Sequence, residues 1–181
     1  MTARVAIFDL DGTLIDSDAA LTAPFVALGV AQEDVTFGHV LADECARLGI
    51  GLTAYLDHYD PTAARPFPGV EQLVASLGRW AVCSNKHPRS GHDELARLGW
   101  TPEIACFSDA FDGPKQLGPV LAAMGLTADE VVFIGDTGHD RACAHLVGCE
   151  FVLAGWNPRA EPHPGDRVAM HPAEVRTILA G

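Results

Sequence analysis

Two carboxylates one residue apart, Asp9 and Asp11, end the apolar run Val5–Phe8 and are followed at once by Gly12 and Thr13. In an extended segment residues i and i+2 point to the same side, so both carboxyl groups can serve one site. Like charges this close repel unless a cation or a shared proton compensates them. The segment therefore asks for a metal, an acid–base division of labour, or both. One carboxylate can attack phosphorus while a second protonates a leaving oxygen and later activates water. The competing reading is a plain chain reversal, which Asp-Gly also suits.

Three further places carry candidate chemistry. Ser84-Asn85-Lys86 follows a second apolar run, and a hydroxyl with several amides ahead of a helix suits an anion. The same residues would equally cap that helix. Lys115, just before another helix, can neutralise both a phosphate and a nucleophilic carboxylate, or simply face solvent. Gly135-Asp136-Thr137-Gly138-His139-Asp140 places two aspartates four apart, which brings them together if a helix starts there. Such oxygen ligands suit a hard cation, Mg²⁺ above all, whereas the alternative is a helix start stabilised by nearby carboxylates. Of 12 basic residues only Lys86 and Lys115 are lysine. A chain that otherwise uses arginine keeps a compact ammonium at two places, which singles both out.

The elements needed to position these residues are legible as alternating patterns. Apolar runs of strand length cover about Arg4–Phe8, Trp80–Cys83, Ile104–Phe107, Val131–Ile134 and Phe151–Leu153, with helical patterns at His87–Leu98, Gln116–Met124 and His139–Val147. Strands apolar throughout that alternate with helices predict an α/β fold, a Rossmann-like parallel sheet covered on both faces. Asp9, Ser84 and Asp136 each follow a predicted strand, and ligands on such sheets bind beyond the strands' carboxyl ends. Residues 17–66 interrupt the alternation. Leu21, Phe25 and Leu28, then Val40, Leu41, Cys45 and Leu48, follow helical spacing, so the stretch predicts about three short helices and no strand. Hinges are expected near Asp16–Ser17 and Arg65–Pro68. That divides the chain into a core of residues 1–16 and 67–181 and a small helical insertion, 17–66. The proline-rich stretch Gly155–Pro172 predicts irregular structure before a last helix at Glu174–Leu179.

Composition narrows the function classes. With 181 residues, 48% hydrophobic and 20% charged, the chain has the balance of a folded globular protein. No apolar stretch approaches the roughly 20 residues of a membrane span, so no membrane partner is expected. The N-terminus shows no secretory signal. Five scattered cysteines without a Cys-x-x-Cys pair predict free thiols in a reducing cytoplasm. A formal charge of −12 without a basic run argues against nucleic acid.

The ordered set (Asp-x-Asp-Gly-Thr, then Ser, then Lys, then Gly-Asp-x-x-x-Asp), each member after a predicted strand, resembles the haloacid dehalogenase-like hydrolase superfamily from about Val5 to Ala154. Val82–Lys86 and Gly135–Thr137 are most similar to its phosphoglycolate phosphatase-like branch. The resemblance implies a phosphatase acting on a small phosphorylated metabolite, with 17–66 as a helical cap shorter than the family's usual one. Asp9 would be the nucleophile that forms an aspartyl-phosphate, and Asp11 the general acid and base. Ser84 and Lys115 would hold phosphoryl oxygens, together with Gly12, Thr13 and Asn85. Mg²⁺ would bind Asp9, the Asp11 carbonyl and Asp136, with Asp140 as ligand or as support behind them. Both lysines then fall on motif positions. The chain departs from the pattern in Gln116, where proline usually follows the lysine, in Ser84 for the commoner threonine, and in the short cap.

Two other readings stay open: a phosphomutase on the same scaffold, and a catalytically silent binding or assembly protein. Phosphonate cleavage is disfavoured because residues 17–66 contain no lysine, and carbon–halogen cleavage because those relatives lack the aspartate that Asp11 supplies. His39, Glu44, Arg47, Tyr55, His58 and Tyr59 are the polar or aromatic cap residues that can meet a substrate, with surface or hinge packing as the alternative reading of most of them. A cap this small is expected to leave the site open to larger substrates or to a partner subunit, as in a homo-oligomer.

Overall fold

A computed structural model describes residues 4–181. Six strands form one parallel sheet: β1 (Val5–Phe8), β4 (Trp80–Cys83), β5 (Ile104–Cys106), β6 (Val131–Gly135), β7 (Glu150–Ala154) and β8 (Arg167–Ala169), in the spatial order β5-β4-β1-β6-β7-β8. The central strand is β1, which pairs with β4 on one side (Phe8 opposite Val82) and β6 on the other (Phe8 opposite Ile134). The chain builds one half of the sheet outward from β1, then returns to build the other. The crevice beyond β1 is therefore the topological switch point, where such folds bind ligands.

Alternation along β1 explains why both sheet faces are covered. Ala6 and Phe8 pack with α4 (Val70–Ala75) and α8 (Glu174–Ala180), while Ile7 faces α6 (Leu117–Met124) and α7 (Gly138–Val147). Phe8, Ile7 and Phe133 are completely buried. A strand buried on both faces must be apolar at every position, so these strands were readable as continuous runs.

The sequence expectations need two corrections. Gly155–Pro172 is not wholly irregular: β8 joins the sheet edge, with Leu153 opposite Val168. The flanks of the insertion are not strandless either, since β2 (Ile15–Asp16) and β3 (Arg65–Pro66) pair antiparallel. This two-residue ribbon brings the two ends of the insertion side by side. Between them stand three helices, α1 (Asp18–Ala27), α2 (Leu41–Arg47) and α3 (Leu52–His58). They share a small core of their own, Phe25, Val35, Cys45 and Tyr55, with the Phe25 and Tyr55 rings 4.5 Å apart. All five cysteines are free thiols. Among the described residues no helix is long and apolar enough to cross a membrane.

Candidate active site

The loop after β1 is shaped by glycine and pinned from a distance. Asp9 continues the ladder through its N–H to Ile134 O (2.9 Å), and a tight turn closes with Leu14 N–H donating to Leu10 O (3.0 Å). Gly12 has φ of +77°, and a Cβ there would lie 2.3 Å from Asp136 Oδ2. No other residue fits this close approach of backbone to carboxylate. Asn157 Nδ2 donates to Gly12 O (2.8 Å) and Asp136 Oδ2 (2.9 Å), and Trp156 Nε1 donates to Thr13 O (2.8 Å). The Thr13 hydroxyl donates to Asp136 Oδ1 at 3.2 Å. Trp156 and Asn157 were missed in the sequence. Their one available signal was that they follow β7 as the other site residues follow β1, β4 and β6.

Asp9 and Asp11 each have a lysine of their own. Lys115 Nζ lies 2.8 Å from Asp9 Oδ2 and 2.5 Å from Asp140 Oδ1. Burial pulls against the charge on Lys115, but Asp140 and Asp9 outweigh it and its pKa rises. Lys86 Nζ lies 2.7 Å from Asp11 Oδ1 and 3.1 Å from Glu94 Oε2. Lys86 also donates to the Tyr59 hydroxyl at 3.0 Å, and that hydroxyl donates to Glu94. The Ser17 hydroxyl completes the set by donating to Asp11 Oδ1 at 2.6 Å. The sequence left the role of the Lys86 ammonium open, and the structure turns it towards Asp11 and Glu94. Lys86 is committed to two carboxylates.

The neighbouring residues divide the remaining work. Ser84 is buried at the end of β4, its Oγ accepting only from Lys86 N–H at a long 3.3 Å. Asn85 spends its side chain otherwise: Oδ1 accepts from Lys115 N–H (2.6 Å) and Nδ2 donates to Gly38 O (2.9 Å) in the insertion. Asp140 is the third residue of α7. Its Oδ2 accepts from the Thr137 N–H (2.9 Å) and hydroxyl (2.7 Å) as a capping box. Its Oδ1 is left to Lys115.

Asp9, Asp136 and Asp140 each present an oxygen within 4.8 Å of the others. Burial pushes the Asp9 pKa up to about 6, against the pull of Lys115. Burial, then the charges of Asp9 and Asp140, push Asp136 up to about 8. Three crowded, buried carboxylates share a single ammonium, so the charge is under-compensated. An all-oxygen donor set in that state fits a hard divalent cation.

The insertion lies over this site. A cleft runs from Asp9, Ser84 and Lys115 to the insertion residues Leu21, Phe37 and Tyr55. The His39 and His139 rings stand 5.3 Å apart, and Arg159 sits 4.6 Å over the Phe37 ring while pairing with Asp18. Asp9, Lys86, Lys115 and Asp136 are each only 6% exposed. Short as it is, the insertion contributes lining residues to the cleft beside these buried groups. Of the insertion residues named from the sequence, His39, Glu44, Tyr55 and Tyr59 line the cleft, whereas Arg47 and His58 do not.

Comparison with known proteins agrees with this architecture. The family described as haloacid dehalogenase-like hydrolase matches residues 47–154, more than half of the chain. The chain is 26% identical to an N-acetylmuramic acid 6-phosphate phosphatase of Pseudomonas aeruginosa, over 99% of this chain and 96% of that one. It is 29% identical to a phosphoglycolate phosphatase of Xanthomonas campestris, over 86% and 85%. Among solved structures, a haloacid dehalogenase-like family hydrolase of Streptococcus pneumoniae superposes with a TM-score of 0.75 at 21% identity, covering 97% of this chain and 98% of that one.

Proposed function

The chain belongs to the haloacid dehalogenase-like hydrolase family, and on that premise we propose that it is a Mg²⁺-dependent phosphatase of a small phosphate monoester. Residues 1–16 and 67–181 are then the catalytic core and 17–66 the cap. The observation that carries the reading is the separate pairing of Asp9 with Lys115 and of Asp11 with Lys86. Asp9 shares its lysine with the cluster of Asp136 and Asp140, whereas Asp11 and its lysine stand with Glu94 and Tyr59, so two chemically equal carboxylates meet unequal surroundings.

Asp9 attacks phosphorus, and the ester P–O bond breaks with its electron pair going to the leaving oxygen. Asp11 supplies the proton that this oxygen takes. A water then gives its proton to Asp11 and attacks the aspartyl-phosphate, and the P–O bond to Asp9 breaks to free phosphate. Lys115 offsets charge on both Asp9 and the phosphoryl group, and the Ser84 hydroxyl, with little else to bind, is available to a phosphoryl oxygen. The backbone N–H groups of Asp11 and Asn85 support contacts to the other oxygens, whereas those of Gly12 and Thr13, also expected to hold phosphate, already donate to Ile15 O (2.8 Å) and Leu10 O (3.3 Å) in the turn. Mg²⁺ would be held by Asp9, Asp136 and the Asp11 carbonyl, with Asp140 behind them on Lys115, and supplies charge neutralisation between carboxylate and phosphate.

Release of phosphate from a generic aryl phosphate in the presence of Mg²⁺ tests the reading. Asp9→Asn, nearly the same in shape, is expected to abolish release while keeping the fold. Release that survives this substitution overturns Asp9 as nucleophile.

A further inference from the structure

The substrate end of the cleft is recorded in its charges. Besides the imidazoles of His39 and His87, the lysine and arginine side chains on the lining already face carboxylates: Lys115 with Asp9 and Asp140, Lys86 with Asp11 and Glu94, Arg159 with Asp18. The insertion adds no lysine, and its Arg47 donates to Glu44 and to Asp34 O instead of lining the cleft. Away from the phosphate end, the walls are mainly Leu21, Phe25, Val35, Phe37, Leu41 and Tyr55. The Tyr55 hydroxyl is turned away from any ligand, since it donates to Leu21 O at 2.9 Å. Glu44, also on the lining, accepts from Thr36 N–H at 2.7 Å and keeps its negative charge there.

A second anionic group on a substrate, such as a carboxylate beside the phosphate, would meet mostly apolar carbon with Asp18 and Glu44, and no lysine or arginine of the lining free to pair with it. Its polar contacts there would come from the His39 and His87 rings and the Thr36 and Ser90 hydroxyls. Burying such a charge without a partner is costly. An uncharged, apolar alcohol would instead exchange water for aliphatic and aromatic surface. We infer that the cleft selects phosphate monoesters whose alcohol is uncharged and largely apolar, and disfavours those carrying a carboxylate. This rests on the phosphatase reading above and departs from the carboxylate-bearing substrate that the name of the Xanthomonas relative prints.

The test compares kcat/KM for alkyl phosphates of similar leaving-group reactivity, methyl and phenethyl phosphate, with 2-phosphoglycolate, using the full chain and Mg²⁺. Phenethyl phosphate is expected to exceed 2-phosphoglycolate by at least about tenfold. Leu21→Ala keeps the carbonyl that Tyr55 uses, and is expected to lower the phenethyl-to-methyl ratio several-fold. Preference for 2-phosphoglycolate, or a phenethyl-to-methyl ratio that Leu21→Ala leaves unmoved, overturns the inference while the phosphatase reading stands. Hydrolysis of no ester at all overturns the phosphatase reading, and this inference with it.

Discussion

Lys86 shows how a single side chain turns a shared motif into a particular site. Its Nζ is held by Asp11, Glu94 and Tyr59 at once, and burial pushes Glu94 up to about 7 even with Lys86 beside it. Removing one member of a buried ion pair leaves the other uncompensated, at a cost of about 3–5 kcal/mol. Lys86→Met is therefore expected to lower the urea midpoint sharply, and to reduce kcat by about 10²-fold or more through loss of a positioned Asp11. Lys86→Arg should recover stability better than kcat, because its broad planar fork cannot reproduce three bonds from one nitrogen. Parallel urea titrations and kinetics separate the two effects; equal recovery of both would limit Lys86 to a structural part. The scarcity of lysine flagged this residue in the sequence, but its partners were not legible there. Glu94 reads as one polar position of an amphipathic helix, and only packing reveals that it is fully buried. Asn157 was similarly silent, because its acceptor at Gly12 lies 145 residues away in the chain.

At the scale of elements, legibility followed burial and length. Val131–Gly135 and Trp80–Cys83 are buried at every position, so their apolar runs announced strands. Strand β8 lies at the sheet edge with an exposed Arg167 and only three residues, so it carried no such run. The ribbon of Ile15–Asp16 and Arg65–Pro66 is shorter still, and its pairing comes from the turn at Gly12 and the return of the insertion. Helix α2 shows how so short an element is anchored. Arg47 and the Thr36 N–H and hydroxyl bind Glu44. The Arg47 bonds are the main reason that the Glu44 pKa is lowered to about 2. A lowered folded-state value gives stability that is present above the unfolded pKa and lost as pH falls through the folded one. The urea-midpoint difference between the wild type and Glu44→Gln is accordingly expected to be full above about pH 5 and to shrink steadily towards about pH 2. A difference flat across that range would remove the charge from the account.

For the whole molecule, the under-compensated carboxylates are expected to make stability depend on a cation. A ligand that binds only the folded state stabilises it by RT ln(1 + [L]/Kd), about 2.7 kcal/mol at a hundredfold excess over Kd. Added Mg²⁺ is expected to raise the thermal midpoint of the wild type by several degrees, and that of Asp136→Asn by much less. Differential scanning calorimetry with and without chelator checks this, and equal shifts in both proteins would move the metal away from Asp136. Among the side chains through which the insertion and the core meet, one joins two tasks. Asn85 holds the backbone of Lys115 with its oxygen and the Gly38 carbonyl of the insertion with its nitrogen. On the proposed reading, lifting the insertion to admit a substrate would break the second bond and part Tyr59 from Lys86 and Glu94. Opening would then loosen the surroundings of both lysines at once, so entry of bulk water and loss of the arranged charges are expected to go together.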